Sequence, residues 1–219
     1  MRRLALPLAF VLVAAAGLWL WRDIATRPAP EAALTPPPEL VNIVLPRPKA
    51  LKPFRLVDMN GKAFGPERFL GHWTFLFFGY THCPDVCPTT LAMLHQTHRR
   101  LAAILPGAVK DINYMFVSVD PRRDSPEGLK TYVHYFDKAF VGATGADQRA
   151  VNRITHQLGI VYVFVGDTKG TDYSVNHSST LLLMDPKGQL FARFNPPFAP
   201  DKLAAEFVKV RAFYDSLKS

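Results

Sequence analysis

Cys83 and Cys87 are the only two cysteines in this chain of 219 residues, and they stand four apart in the run Cys83-Pro84-Asp85-Val86-Cys87-Pro88. A thiolate is both a nucleophile and a soft metal ligand, so such a pair can exchange with a disulfide or grip a metal ion. Dithiol oxidoreductases usually space their cysteines CxxC. The extra residue here lets two sulfurs converge on a third body as well as on each other. The pair follows the apolar run Trp73-Thr74-Phe75-Leu76-Phe77-Phe78-Gly79-Tyr80, and a buried strand that opens into cysteines and then a helix is a thioredoxin-like arrangement. Pro84 and Pro88 bias the cysteines before them toward extended backbone. Pro88 suits the first position of a helix, and Leu91, Leu94, His98 and Leu101 recur at helical spacing until Pro106-Gly107. Both thiols are therefore expected in a constrained turn at a helix N-terminus, where free N–H groups and the dipole favour thiolate. An inert disulfide or two idle thiols is the bland alternative. It fits poorly with two prolines at a strand–helix junction.

Taken together with their neighbours, these residues resemble a known family. Gly71-His72-Trp73 and the run Gly79-Tyr80-Thr81-His82-Cys83-Pro84-Asp85-Val86-Cys87-Pro88-Thr89 are similar to the Sco/SenC copper-binding proteins of cytochrome oxidase assembly. Val117-Ser118-Val119-Asp120-Pro121-Arg122-Arg123-Asp124-Ser125-Pro126 and Val175-Asn176-His177-Ser178 match in the same order. The resemblance runs from about Leu51 to the C-terminus. It implies a metal site of Cys83, Cys87 and one distant histidine, His177. The family usually has Asp before that histidine, where this chain has Asn176. Asn keeps the size and an acceptor but lacks the charge, which bears on partner docking or site electrostatics more than on ligation.

The ligand chemistry is consistent with that implication. Soft thiolates select copper(I), and two thiolates with an imidazole can also hold copper(II). Three protein ligands leave a coordination position open, which suits a site that hands its metal on. Zinc accepts the same atoms, but a structural zinc site normally closes with a fourth ligand, and no third cysteine exists. His177 lies in a polar stretch, residues 171–179, between two expected strands. His82 abuts Cys83, but in an extended segment its side chain points away from its neighbour's, which leaves it outside the ligand set. His95 and His98 belong to the following helix, His98 on the inward stripe. Those two, with His72, His134 and His156, read as ordinary surface or core residues.

The elements that must position these groups alternate along the chain. A hairpin is expected at 54–58 with a turn at Asn60-Gly61, ahead of the strand at 73–79. The helix from Pro88, a strand at 112–119 and a helix from Pro126 follow. After them come a short strand near 140–142, a helix near 146–158, strands at 160–165 and 180–185, a turn at Pro186-Lys187-Gly188 into 189–194, and a last helix from about Pro200. This is an α/β, thioredoxin-like layer structure. In a parallel sheet the loop at 120–126 lies at the carboxyl edge, where such folds gather their sites. Asp120 or Arg123 can orient neighbours or meet a partner there, while Asp124 or Ser125 can cap the helix that carries Leu129, Tyr132, Val133 and Phe136.

Residues 4–21 carry no charge and follow Arg2 and Arg3, a length that can cross a bilayer, with Trp19 and Trp21 fitting an interfacial belt. A cleaved signal is the alternative, with Ala14-Ala15-Ala16-Gly17 as small residues, but the run stays apolar beyond them. The organisation expected is an N-terminal transmembrane helix over 1–22, a proline-rich tether over 23–53, and a thioredoxin-like copper-binding domain over 54–219. Arg2 and Arg3 on the inner side place that domain on the periplasmic face of the inner (cytoplasmic) membrane, on a single-pass anchor. The formal net charge is +8, but no clustered Lys/Arg motif accompanies it, which argues against nucleic acid; a basic surface can instead steer toward an acidic partner or anionic headgroups.

The reading that follows is a membrane-tethered copper chaperone, carrying Cu(I) or Cu(II), that helps assemble the binuclear copper site of cytochrome c oxidase. Its expected partners are the oxidase subunit holding that site, a copper donor protein and a thiol-reducing partner. The alternative is a thiol–disulfide oxidoreductase in which Cys83 and Cys87 are the catalytic pair.

Overall fold

The computed structural model describes residues 17–22, 33–107 and 109–218. It separates into two compact units, divided between Ala33 and Leu34. In the first, residues 17–22 are helical and Leu18, Trp19, Leu20 and Trp21 are exposed. Among the described residues no helix is long and apolar enough to cross a membrane. Most of the expected anchor, residues 1–16, lies outside the described residues, as do residues 23–32 of the expected tether.

The second unit is built on an eight-stranded mixed sheet. Its strands are β1 (Val44–Ala50), β2 (Leu56–Asp58), β3 (Ala63–Phe64), β4 (Trp73–Gly79), β5 (Ile112–Ser118), β6 (Phe140–Thr144), β9 (Leu181–Met184) and β10 (Gln189–Phe194), in the spatial order β1-β10-β9-β4-β5-β6-β2-β3. The remaining strands, β7 (Tyr162–Gly166) and β8 (Tyr173–His177), form a separate antiparallel ribbon. Four longer helices complete the unit: α1 (Val86–Ile104), α2 (Pro126–Phe136), α3 (Gln148–Leu158) and α4 (Pro200–Ser216).

β4 is central because all seven of its residues are buried, the unbroken apolar pattern of a strand covered on both faces. It pairs in parallel with β5, from Trp73 opposite Ile112 to Gly79 opposite Ser118, and antiparallel with β9. β5 pairs in parallel with β6. The carboxyl ends of β4 and β5 therefore fall side by side, which brings the cysteine turn next to the loop at 120–126. Aromatic edges lock α4 to β4: Trp73 meets Tyr214 with centroids 4.9 Å apart and Phe207 at 5.7 Å, both near T-shaped.

Local chemistry sets the helix ends. The Ser125 hydroxyl accepts from the Gly128 N–H at 3.1 Å, with Pro126 first in α2. The Asp147 carboxylate accepts from the Ala150 N–H at 2.8 Å to start α3, and Gly159, at φ +66°, ends it in a left-handed turn. The hairpin turn at Asn60-Gly61 is present, with β2 and β3 on either side.

Three expectations differ from the structure. The proline-rich segment contributes β1, an edge strand antiparallel to β10, and buries Leu40 and Val44. Its prolines are compatible with a strand because an edge needs no donor on its open side; neither Pro46 nor Pro48 is a paired position. The stretch at 171–179 is not all loop, since Tyr173–His177 forms β8. Finally, α1 begins at Val86, so Pro88 is its third residue, still within the first turn, where a missing N–H costs nothing.

Candidate metal centre

The site forms where β4 ends. The Cys83 N–H donates to the Tyr80 carbonyl at 3.3 Å, closing a turn that feeds α1. Cys87 is the second residue of α1, fully buried, and its N–H donates to Cys83 Sγ at 3.4 Å. Cys83 is half-buried, and both thiols are free. The buried sulfur lies over Gly79: a Cβ at that position would meet Cys87 Sγ at 2.5 Å and the Phe116 ring at 2.9 Å. Gly79 is thus required by close approach.

His177, last residue of β8, arrives from the ribbon. Its Nδ1 lies 3.1 Å from the Ser178 carbonyl, which can only accept. Nδ1 therefore carries the proton and Nε2 keeps a lone pair, aimed at Cys87 Sγ 3.3 Å away. Tyr80 and Phe77 meet the imidazole edge-on at 6.1 and 5.9 Å. Burial holds the His177 pKa below its ordinary value despite the Ser178 contact, so the ring is neutral at pH 7. Burial also pushes the Cys87 thiol well up, more than the Tyr80 backbone pulls it down, and Cys83 and Asp124 push it further up. This reverses the expectation that the helix start favours thiolate: for Cys87, desolvation outweighs the dipole. The thiol donates to Nε2, and an arriving cation would displace that proton.

The ligand atoms of Cys83, Cys87 and His177 all lie within 4.8 Å of one another, the one such group of His, Cys, Asp and Glu among the described residues. An ion about 2.3 Å from each sulfur and about 2.0 Å from nitrogen would set trigonal sulfurs about 4 Å apart, so the donors fit a single ion with small movements. An open cleft of about 390 Å³ leads to them, lined by Tyr80, Cys83, Pro84, Val86, Asn176 and His177 among others. Asn176 is exposed beside it.

The three cysteine and histidine positions singled out in the sequence are brought together. His82 is not: its Nδ1 sits 3.1 Å from Thr81 Oγ1, outside the group, with the side chain more than half exposed. His95 and His98 instead share the Asp137 carboxylate, each Nδ1 at 2.9 Å. The loop at 120–126 both caps a helix and orients neighbours, but Asp124, expected as a cap, is the residue that reaches the cysteine turn. Ser125 caps α2, and the Asp124 carboxylate accepts from the Thr81 N–H at 3.0 Å, two residues before Cys83. Sequence reasoning passed over Gly79, Tyr80 and Tyr173. Gly79 closes an all-buried strand, and a glycine inside a strand pattern signals just such a close approach.

Comparison with known proteins bears on this geometry. The SCO1/SenC family model matches residues 45–212. A protein of Stutzerimonas stutzeri is 40% identical over 162 residues, 74% of this chain and 76% of its own. The copper-bound structure of ScoI from Bradyrhizobium japonicum is 34% identical, with a TM-score of 0.64, covering 75% of this chain and 99% of that one. The copper-bound crystal structure of Arabidopsis thaliana ScoI is 30% identical, with a TM-score of 0.68, over 74% and 97% of the two chains.

Proposed function

Because the chain belongs to the SCO1/SenC family, we propose that it binds one copper ion through Cys83, Cys87 and His177 and delivers it to the binuclear copper site of a cytochrome c oxidase subunit. The observation that carries this reading is the convergence of two sulfurs and a neutral imidazole Nε2 within 4.8 Å at the floor of an open cleft. Two thiolates satisfy Cu(I), and the imidazole extends the set to Cu(II). Copper is cargo here, and the open coordination position is where an acceptor's ligand enters. Cys83 and His177 line the cleft and are accessible to that ligand, while Cys87 is buried behind them. Residues 1–22 anchor the chain in the inner membrane with the site on the periplasmic side. A copper donor and a thiol-reducing partner serve it there, since an oxidising compartment drives such a pair to the disulfide.

The test is titration of the full-length reduced chain with Cu(I) and Cu(II), beside His177→Ala, with X-ray absorption on the loaded protein. One ion with a mixed sulfur and nitrogen shell is expected, and His177→Ala weakens Cu(II) more than Cu(I). A shell of oxygen and nitrogen only overturns the assignment.

A second reading, thiol–disulfide exchange, is favoured by the asymmetry of the pair. Cys83 is half-exposed and receives the Cys87 N–H, while Cys87 is buried behind it. Cys83 would attack a partner's disulfide to form a mixed disulfide. Cys87 would then resolve it, moving two electrons to the partner and leaving a Cys83–Cys87 disulfide. Stoichiometric reduction of an acceptor peptide disulfide, lost in Cys87→Ser with the mixed species trapped, would establish it.

A further inference from the structure

Two ligand-bearing segments meet at this site from distant parts of the sequence, and one short loop holds both. On the cysteine side, Asp124 is buried and accepts from Thr81 Oγ1 at 2.6 Å, the Thr81 N–H at 3.0 Å and Ser118 Oγ at 2.5 Å. That ties the start of the cysteine turn to the end of β5. On the histidine side, the adjacent Arg123 donates through one terminal nitrogen to the Thr171 and Tyr173 carbonyls at 2.9 and 2.8 Å. Its Nε pairs with buried Asp120 at 2.5 Å, and the other oxygen of Asp120 accepts from the Tyr173 hydroxyl at 2.9 Å. The guanidinium lies 3.6 Å from the centroid of the Tyr173 ring and 5.4 Å from that of Tyr80, the ring that in turn meets His177 edge-on. Arg122 adds a hydrogen bond to the Thr168 carbonyl in the ribbon's loop.

Among the described residues the ribbon pairs with no strand of the eight-stranded sheet. Its seat relative to the cysteines is set by side chains, and Arg123 supplies several of the contacts at its turn end, where Tyr173 opens the strand four residues before the ligand. From this geometry we infer that Arg123 is a positioning residue that sets His177 against the cysteines, and so governs the three-ligand state that Cu(II) needs. Asp124, by contrast, positions the cysteine turn that either oxidation state needs. The inference rests on the reading of Cys83, Cys87 and His177 as copper ligands. Groups that orient ligands in this way typically cost 10–100-fold in metal affinity when removed.

The experiment compares Cu(I) and Cu(II) affinities of the full-length chain with those of Arg123→Gln, Arg123→Lys and Asp124→Asn, and records the sulfur-to-copper(II) charge-transfer absorption. Arg123→Gln should lose Cu(II) affinity by at least about tenfold with a weakened or shifted absorption, while Cu(I) affinity stays within about threefold. Arg123→Lys should fail similarly, because an ammonium cannot span Asp120 and two carbonyls while lying on a ring. Asp124→Asn should weaken both oxidation states together. Tyr173→Phe removes a single hydrogen bond to Asp120 and keeps the test decisive if the buried Arg123 variants fail to fold; it should show the same Cu(II)-selective loss on a smaller scale. Equal loss of both states in the Arg123 and Tyr173 variants, or no loss in either, overturns the inference while leaving the ligand assignment standing. A wild-type chain that takes up no copper overturns the assignment itself, and the inference with it.

Discussion

Gly79→Ala places one methyl group against the buried sulfur. An added Cβ would stand 2.5 Å from Cys87 Sγ, where ordinary contact begins at 3.4 Å, so the sulfur or the strand must give way by 3.4 − 2.5 = 0.9 Å. The Phe116 ring of β5 also stands 2.9 Å from the added carbon, so two buried neighbours must give way together. Overpacking of this kind costs about 1–3 kcal/mol. The same displacement is several times the tolerance of about 0.2 Å in metal–ligand distances. Copper affinity should therefore fall by at least about tenfold, the scale of lost ligand orientation. Urea unfolding of the metal-free chain measures the first effect and competition against a chromophoric copper chelator the second. Gly142→Ala is the control, since its Cβ would meet Leu129 Cβ at 3.1 Å, away from the site; it should be milder and leave copper binding unchanged. Full copper affinity in Gly79→Ala, with a stability loss below about 0.5 kcal/mol, would refute the close-packing argument.

Other consequences can be measured alongside. Burial pushes the Asp137 carboxyl up, but the Ala139 N–H and the His98 and His95 imidazoles outweigh it and leave its pKa below 3.8. The stability it contributes is present above pH 3.8 and lost as pH falls through the lower folded value, so Asp137→Asn should flatten the acid limb of a stability–pH curve. Ser125→Ala removes the cap on Gly128 and should cost about 1 kcal/mol in chemical denaturation. If residues 4–21 anchor the chain, it should resist carbonate extraction from membranes and Cys83 should be reached by an impermeant thiol reagent from the periplasmic side. A mature N-terminus after Ala16 would refute the anchor.

The cysteine half of the site was legible because its signals are local: an all-apolar strand, two prolines and a helical repeat lie within about thirty residues. His177 lies 90 residues from Cys87; its own neighbourhood offers only a polar stretch between two strands, and family likeness supplied the rest of its identification. The strand that presents it was missed although it alternates, with Tyr173 and Val175 buried and Ser174 and Asn176 exposed, because flanking polar residues masked so short a repeat. β1 was hidden by its prolines, which mark a tether as readily as an edge strand. The fates of His95 and His98 could not be read at all, since the carboxylate they share is about forty residues away and belongs to the end of another helix.

Those prolines in β1 also bear on how copies of the chain behave toward one another. An open sheet has two free margins, and a run of unsatisfied backbone groups there can recruit a strand from a second molecule, the first step of aggregation. One margin here is β3, only two residues long. The other is β1, where Pro46 and Pro48 present no amide hydrogen and the Pro46 carbonyl is already taken by the Leu34 N–H at 2.7 Å. A long margin and a short one are both poor templates, so eight strands can be displayed at high local concentration without growing a ninth.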